Sequence, residues 1–375
     1  MKFIINTYDE FLESVRFNEN SGEMRCLLSN CTITCKIRLS QFHNFRFSCK
    51  NCSFEDEIIF ESPNILLFEF DNCQFHKKVN FNNFVFNCNV RFYKCSFNEV
   101  SFINTQFNKL VDFWRSTFNK SVIFLKTDFN GVAVFSAATF IENVLFTYAK
   151  IREPIFFRGT KFEKGLDFSL AVSTGVLGVF DMRLKDYLSY DTLGLEDEDG
   201  YENAVTETAA IPLRNKQETF RILKKRFEDL GDIPSSLYFK TIEKRCLMQS
   251  LRKNPPSSKK FTHKSDKFSL WLNLMSNDFG KSYFRAFIFT IIVGLGWFLI
   301  SIIFSGKYML NVYAEFAPLN EILSDFVKFM NPTHKIDYLT DSKGNYWLFY
   351  LFDFIGRGFV GYGTYQFIQA FRKYR

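Results

Sequence analysis

Between Phe54 and Phe168 a large apolar residue recurs every five or six positions and the residues between are mostly polar or small. The stations are Phe54, Phe60, Ile65, Phe70, Phe75, Phe81, Phe86, Phe92, Phe97, Phe102 and Phe107, and then Phe113, Phe118, Phe124, Phe129, Phe135, Phe140, Phe146, Ile151, Phe157, Phe162 and Phe168. From Phe102 onward the steps alternate, so that Phe102, Phe113, Phe124, Phe135, Phe146, Phe157 and Phe168 form a series of period eleven. The residue two before each station is restricted as well: Cys52, Cys73, Cys95, Thr105, Thr127, Ala138, Ala149 and Thr160 before one set, Val79, Val90, Val100, Val111, Val122, Ala133 and Val144 before the other. In an extended chain, positions i and i−2 share a face, so each side offers one large and one small residue inward. A helix needs recurrence at three and four residues and a lone amphipathic strand needs sustained alternation; neither gives this step. A four-sided β-solenoid does, with short sides joined by corners and stacked coils continuing the ladder.

Four sides per coil give about five coils for residues 54–168, a rod roughly 25 Å long around stacked rings. The units Cys95-Ser96-Phe97-Asn98-Glu99 and Thr105-Gln106-Phe107-Asn108-Lys109 resemble those of the pentapeptide-repeat family. The resemblance implies a mainly β fold, a right-handed quadrilateral β-helix, over residues 26–180, with weaker register at its start through Cys31–Ile33 and Cys35–Ile37. The recurrent sixth residue predicts bulged corners on alternate sides. Residues 1–25 read as an N-terminal helical cap, with Thr7 and Glu10 at capping-box spacing before a helix over 8–17.

After the repeats, 181–214 reads as an acidic linker containing Glu196-Asp-Glu-Asp-Gly200. Residues 215–253 predict a helical hairpin connector: Phe220, Leu223, Phe227 and Leu230 line one helix, which stops at Gly231, and Leu237, Ile242, Cys246 and Leu247 line the next. This hairpin resembles a segment that follows the repeats in membrane-attached pentapeptide-repeat proteins. Residues 254–375 are expected to be a membrane domain. The uncharged run 286–304 is long enough to cross a hydrocarbon core of about 30 Å. The first span is placed at about 285–305, an outside loop at 306–345 with an amphipathic stretch at 319–330, and a second span at about 346–371. Residues 251–285 hold eight Lys or Arg against two acids, whereas 306–345 hold four against five. The positive-inside rule then puts both termini in the cytoplasm of a multi-pass protein, with a bacterial inner membrane as the expected location. The chain opens without a secretory signal, and seven of its nine Cys fall within 26–88, which fits a reducing compartment.

Composition changes this picture in two places. Twenty of the fifty Phe mark the repeat stations, and many others, including Phe287, Phe289, Phe298 and Phe304, belong to the apolar segments. The net charge of +7 leaves residues 54–168 neutral, with 13 basic and 13 acidic residues, so a DNA-mimicking acidic rod is excluded and no nucleic-acid partner is expected. Cys52, Cys73 and Cys95 occupy the small inward slot, and Cys49 with Cys52 forms an isolated pair without a second pair or a His at ligand spacing. The four His are scattered, no nucleophile or phosphate-loop motif occurs, and neither a cofactor, a metal nor an enzymatic activity is expected. Asp353 and Arg357 share a helix face as a charge pair inside the second span, which marks a candidate site. Gly356, Gly358, Gly361 and Gly363 are candidates for close helix packing or a turn and point to homo-oligomers. Val360-Gly361-Tyr362-Gly363 resembles a potassium-channel filter, but only twelve residues follow it, too few for an inner helix. Two readings result: a membrane-anchored scaffold that binds a protein partner through the β-helix surface, and a two-helix channel-like effector with the repeats as assembly or gating module.

Overall fold

The computed structural model describes residues 3–18, 22–39, 44–60, 65–190, 203, 206–253, 260–305, 307, 319–339 and 347–372. The acidic run at 196–200 and part of the 306–345 loop lie outside them. The chain divides into two compact units, Met1–Leu230 and Gly231–Arg375.

The first unit is a β-solenoid of about 7 turns. Four ladders run along it. One passes from Phe3–Ile5 through Cys31–Ile33, Ser53–Phe54, Gln74–Asn80, Ser96–Ser101, Thr117–Phe118, Thr139–Phe140 and Lys161–Phe162 to Arg183–Leu184. A second follows Ile37–Arg38, Ile58–Ile59, Val122–Ile123, Val144–Leu145 and Leu166–Asp167, a third starts at Val85–Phe86, and the fourth starts at Val15–Asn18. Paired strands are parallel except Val15–Asn18, which meets Glu23–Ser29 antiparallel. Residues 54–168 make about five of these turns, as expected, and the ladders extend the rod back to Phe3 and on to Leu184.

From Ser53 onward pairing is between residues 21 or 22 apart, as in Phe75 with Phe54 and Asn130 with Asn108. This register turns the periodic Phe into columns. Phe54, Phe75, Phe97, Phe118, Phe140 and Phe162 form one; Phe60, Phe81, Phe102, Phe124, Phe146 and Phe168 a second; Phe70, Phe92, Phe113, Phe135 and Phe157 a third. Phe86, Phe107 and Phe129 form the fourth. Stacked neighbours lie 4.4 to 5.5 Å apart. Between columns the rings meet edge to face, as Phe102 and Phe113 do at 5.6 Å. All ten repeat-core candidates are buried. Offset stacks along the rod and edge contacts across it satisfy the ring quadrupoles in both directions.

The small slot has a second role. Thr105, Thr127 and Thr160 donate their hydroxyls to the carbonyls of Phe81, Phe102 and Phe135 at 2.8, 2.6 and 2.7 Å, and Ser116 does the same to Phe92 at 2.6 Å. The corner that follows each station leaves a buried carbonyl, and a short hydroxyl one coil on satisfies it. Corner residues Asn30, Asn51, Asn72, Lys94, Arg115 and Ala137 adopt φ of 53–57°, the left-handed region that Asn tolerates best. These residues, like Asn83, Asn104, Lys126 and Tyr148, sit in the five-residue steps. Their side-chain amides add ladders of their own, such as Asn72 to Asn51 at 2.8 Å and Asn104 to Asn83 at 2.9 Å.

A helix covers each end of the core. Tyr8–Glu13 is capped by the Thr7 hydroxyl and drives Phe11 against Phe47 at 6.2 Å. It is shorter than the expected 8–17, because Val15–Asn18 leaves the helix to pair with Glu23–Ser29. At the other end, Leu213–Asp229 buries Phe220, Leu223 and Phe227. Its Thr219 hydroxyl accepts from the Phe168 amide at 2.9 Å, and Asn215 donates to Asp167 at 2.9 Å. The expected linker is partly structured: Arg183–Leu184 continues a ladder, while Ala209 and Ile211 pack on Leu145 of the solenoid flank. Gly165 makes that approach possible, since a Cβ there would meet Ile211, Asn143 and Tyr187.

The second unit is helical: Ile233–Lys253, Lys260–Asn277, Tyr283–Ile303, Leu319–Phe329, a short 3-10 turn Ile336–Leu339, and Trp347–Phe371. Tyr283–Ile303 and Trp347–Phe371 lie antiparallel, with Tyr283 near Phe371 at 4.8 Å and Phe304 near Phe352 at 5.1 Å. Among the described residues, Tyr283–Ile303 alone is long and apolar enough to cross a membrane, with mean hydropathy 2.5. The second expected span is one unbroken helix of 25 residues. Asp353, Arg357 and its Tyr, Gly and Gln content make it less apolar than Tyr283–Ile303, which is the one candidate span among the described residues.

Candidate functional site

Asp353 lies on Trp347–Phe371 and is 1% exposed. An ionised carboxylate at that depth needs partners for both oxygens. One oxygen accepts from Arg357 at 2.7 and 2.8 Å, the other from His334 Nε2 at 2.9 Å. The i, i+4 spacing supplies the Arg; the His arrives from the turn before Ile336–Leu339. Asn331 caps that turn through Thr333, and its carbonyl takes the His334 Nδ1 at 2.7 Å. Arg357 Nη2 also lies 3.2 Å from His334 Nε2, so the three side chains are in mutual contact. Phe329 and Tyr338 flank the imidazole at 5.8 and 4.9 Å. The expected pair is therefore a trio. His334 carries no linear signal, since nothing in its spacing to Asp353 marks it.

The four glycines separate by helix phase. A Cβ on Gly356 would meet Phe329 and Trp297, and one on Gly363 would meet Thr290, so these two admit neighbouring side chains at close range. Gly358 and Gly361 face open space and contribute nothing to packing in this chain. None of the four makes a turn. The filter-like Val360–Gly363 lies inside the continuous helix, where its carbonyls are committed to the helical ladder and cannot line a pore.

Two further polar clusters escaped the sequence reading. Asp325, 1% exposed, accepts from Lys307 at 2.7 Å and Lys328 at 2.9 Å. Buried Asn277 binds the Gln366 side chain, which in turn donates to Asn273 at 3.2 Å, tying Lys260–Asn277 to Trp347–Phe371. On the solenoid, charges pair from coil to coil: Lys78 and Lys120 flank Glu99 at 3.0 and 2.9 Å, and Arg91 meets Glu69 at 2.7 Å.

The nine Cys are free thiols, and eight of them are buried. Cys31 and Cys52 stack in one slot with sulfurs 3.2 Å apart. Among the described residues no group of three or more His, Cys, Asp or Glu is arranged for a metal. Burial pushes the Cys26 and Cys88 thiols up to about 11 from 9.0. Folded thiols stay protonated while those of the unfolded chain ionise, so this stabilisation is complete below pH 9 and is lost as pH rises toward 11. The unfolding free energy of the solenoid from urea titrations should fall across that interval, by up to about 2–3 kcal/mol per thiol. A Cys26→Ala, Cys88→Ala variant should fall less steeply; equal slopes would exclude these thiols as the cause.

Residues 70–117 match the family of pentapeptide repeats (9 copies). No curated protein and no solved structure matches the chain. The matched stretch lies in the middle of the ladders and carries four Phe columns, which makes this segment a pentapeptide-repeat solenoid. Solenoids of this class are generally structural or interaction modules.

Proposed function

We propose that the protein is a membrane-anchored, non-catalytic scaffold that offers its pentapeptide-repeat rod to a protein partner in the cytoplasm. The observation that carries the proposal is a rod filled by stacked rings from Phe54 to Phe168 and covered by a helix at each end, in one chain with an apolar helix of spanning length. Such a core holds outward side chains at fixed spacing, which suits recognition of an extended surface. In this reading the β-helix is right-handed and four-sided. Tyr283–Ile303 crosses the membrane from the basic side, Trp347–Phe371 returns beside it, and both termini stay in the reducing cytoplasm, where nine free thiols persist. Gly358 and Gly361, outward on the second helix, are then available to a second copy.

Two measurements test this. Full-length protein should remain in the membrane pellet after alkaline carbonate extraction, while Gly231→stop should be soluble. The soluble 1–230 unit, used as bait, should retain the same partner as the full chain in reciprocal pull-downs. Extraction of the full chain by carbonate, or no reproducible partner for either form, would overturn the scaffold reading.

A further inference from the structure

The fourth ring column does not run the length of the rod. Phe86, Phe107 and Phe129 stack in register, Ile151 pairs beyond Phe129, and Ser173 pairs beyond Ile151. The slot beneath changes in step, from Thr105 and Thr127 to Ala149 and Ala171. In the last turn a ring-sized volume is therefore missing at one corner. The capping helix does not refill it, because Phe220, Leu223 and Phe227 are buried elsewhere and this corner receives Ile222, Lys225, Arg226 and Asp229.

What remains is a cavity of about 350 Å³ whose floor reaches the buried Ile151 and Phe168. That volume lies at the small end of ligand pockets, which run about 300–1,000 Å³. Its walls are mainly apolar, and the apolar lining reaches the surface at Val176, which is 53% exposed. Its mouth carries Lys225 and Arg226 against the single carboxylate of Asp229. Arg226 is held there by donating its Nε to the Leu177 carbonyl at 2.6 Å.

We infer that this cavity is a binding site for a single-chain fatty carboxylate, with the hydrocarbon in the space left by the missing ring and the carboxylate at Lys225 and Arg226. An apolar floor with a cationic mouth matches an amphiphile of that polarity, and a surplus of one positive charge favours an anion over an alcohol. The bare apolar rim gives a longer chain somewhere to continue. The site is independent of the scaffold reading, since neither carbonate extraction nor pull-down reports on it.

The test uses the full chain in its native membrane and a diazirine-bearing C12 carboxylate, with cross-linked peptides mapped by mass spectrometry. Labelling is expected at 168–177 and 222–229, competed by laurate and at least tenfold less well by dodecanol. Competition should strengthen about fourfold per added methylene until the cavity is full. Ser173→Phe, which restores the column, should abolish this labelling while leaving labels on the apolar helix unchanged. If that variant does not accumulate, exposed Lys225→Glu should weaken laurate competition at least fivefold. Labels confined to 283–303, equal competition by dodecanol, labelling unmoved by either substitution, or a polypeptide cross-linked in the cavity would each overturn the assignment.

Discussion

Phe124→Ala is expected to destabilise the Met1–Leu230 unit by about 3–5 kcal/mol, because it removes a whole ring from a site with no slack. Phe124 is fully buried, stacked between Phe102 at 5.1 Å and Phe146 at 4.8 Å, with the Phe135 ring edge-on at 5.7 Å. Neighbouring coils cannot close on the hole, since their spacing is set by backbone ladders at about 4.8 Å. In a rod each coil is stabilised mainly by the two beside it, so a void at mid-length weakens both halves together. The melting temperature of this unit should drop by about 10 °C on a scale of 2–4 °C per kcal/mol. Phe180→Ala, at a ring that is 70% exposed, is the control and should stay within about 0.5 kcal/mol. A loss below about 1 kcal/mol for Phe124→Ala would show that the columns do not hold the rod together.

Asp353→Ala should cost the second unit about 3–5 kcal/mol, by leaving Arg357 and His334 without the carboxylate that both address. The large effect comes from the orphaned charge, not from the strength of the trio. An apolar triple variant, Asp353→Leu, Arg357→Leu and His334→Leu, should therefore recover most of the loss if the trio only fastens the Ile336–Leu339 turn to Trp347–Phe371. Three of the four Trp, at 271, 297 and 347, lie in this unit, so Trp fluorescence during thermal unfolding of the full chain in lipid nanodiscs reads it preferentially. Equal stability of Asp353→Ala and the parent would mean that the carboxylate is not buried as described. A triple variant as unstable as the single one would show that the trio contributes more than an apolar replacement can.

The periodic part of the fold was legible because the contacts in a solenoid are themselves periodic. A residue's partners lie one coil away, 21 or 22 positions along the chain, so Phe97 had to face Phe75 and Phe118 once the sides were counted. Legibility failed at the rod's ends. Ile5, Cys26, Leu28 and Ile33 fill much of the first coils and Val179 and Leu184 the last, so the apolar pattern continues there with few of its Phe markers. The donor role of Thr105, Thr127 and Thr160 was also hidden, because size alone explains a small residue and only the coil geometry places each hydroxyl under a carbonyl.

In the helical unit, the i, i+4 spacing placed Asp353 beside Arg357, but helical phase relative to neighbours is not written in a single helix. Gly356 and Gly363 became packing positions and Gly358 and Gly361 did not because of where Trp297, Phe329 and Thr290 happened to stand. The turn-borne His334 reached Asp353 through a loop of arbitrary length. By itself, then, the sequence determined a Phe-filled solenoid and one apolar helix, since local repetition and uninterrupted apolarity act over short chain distances. The tertiary structure alone decided the third member of the buried trio, the packing glycines and the missing ring at Ser173, since each depends on contacts between segments that share no period.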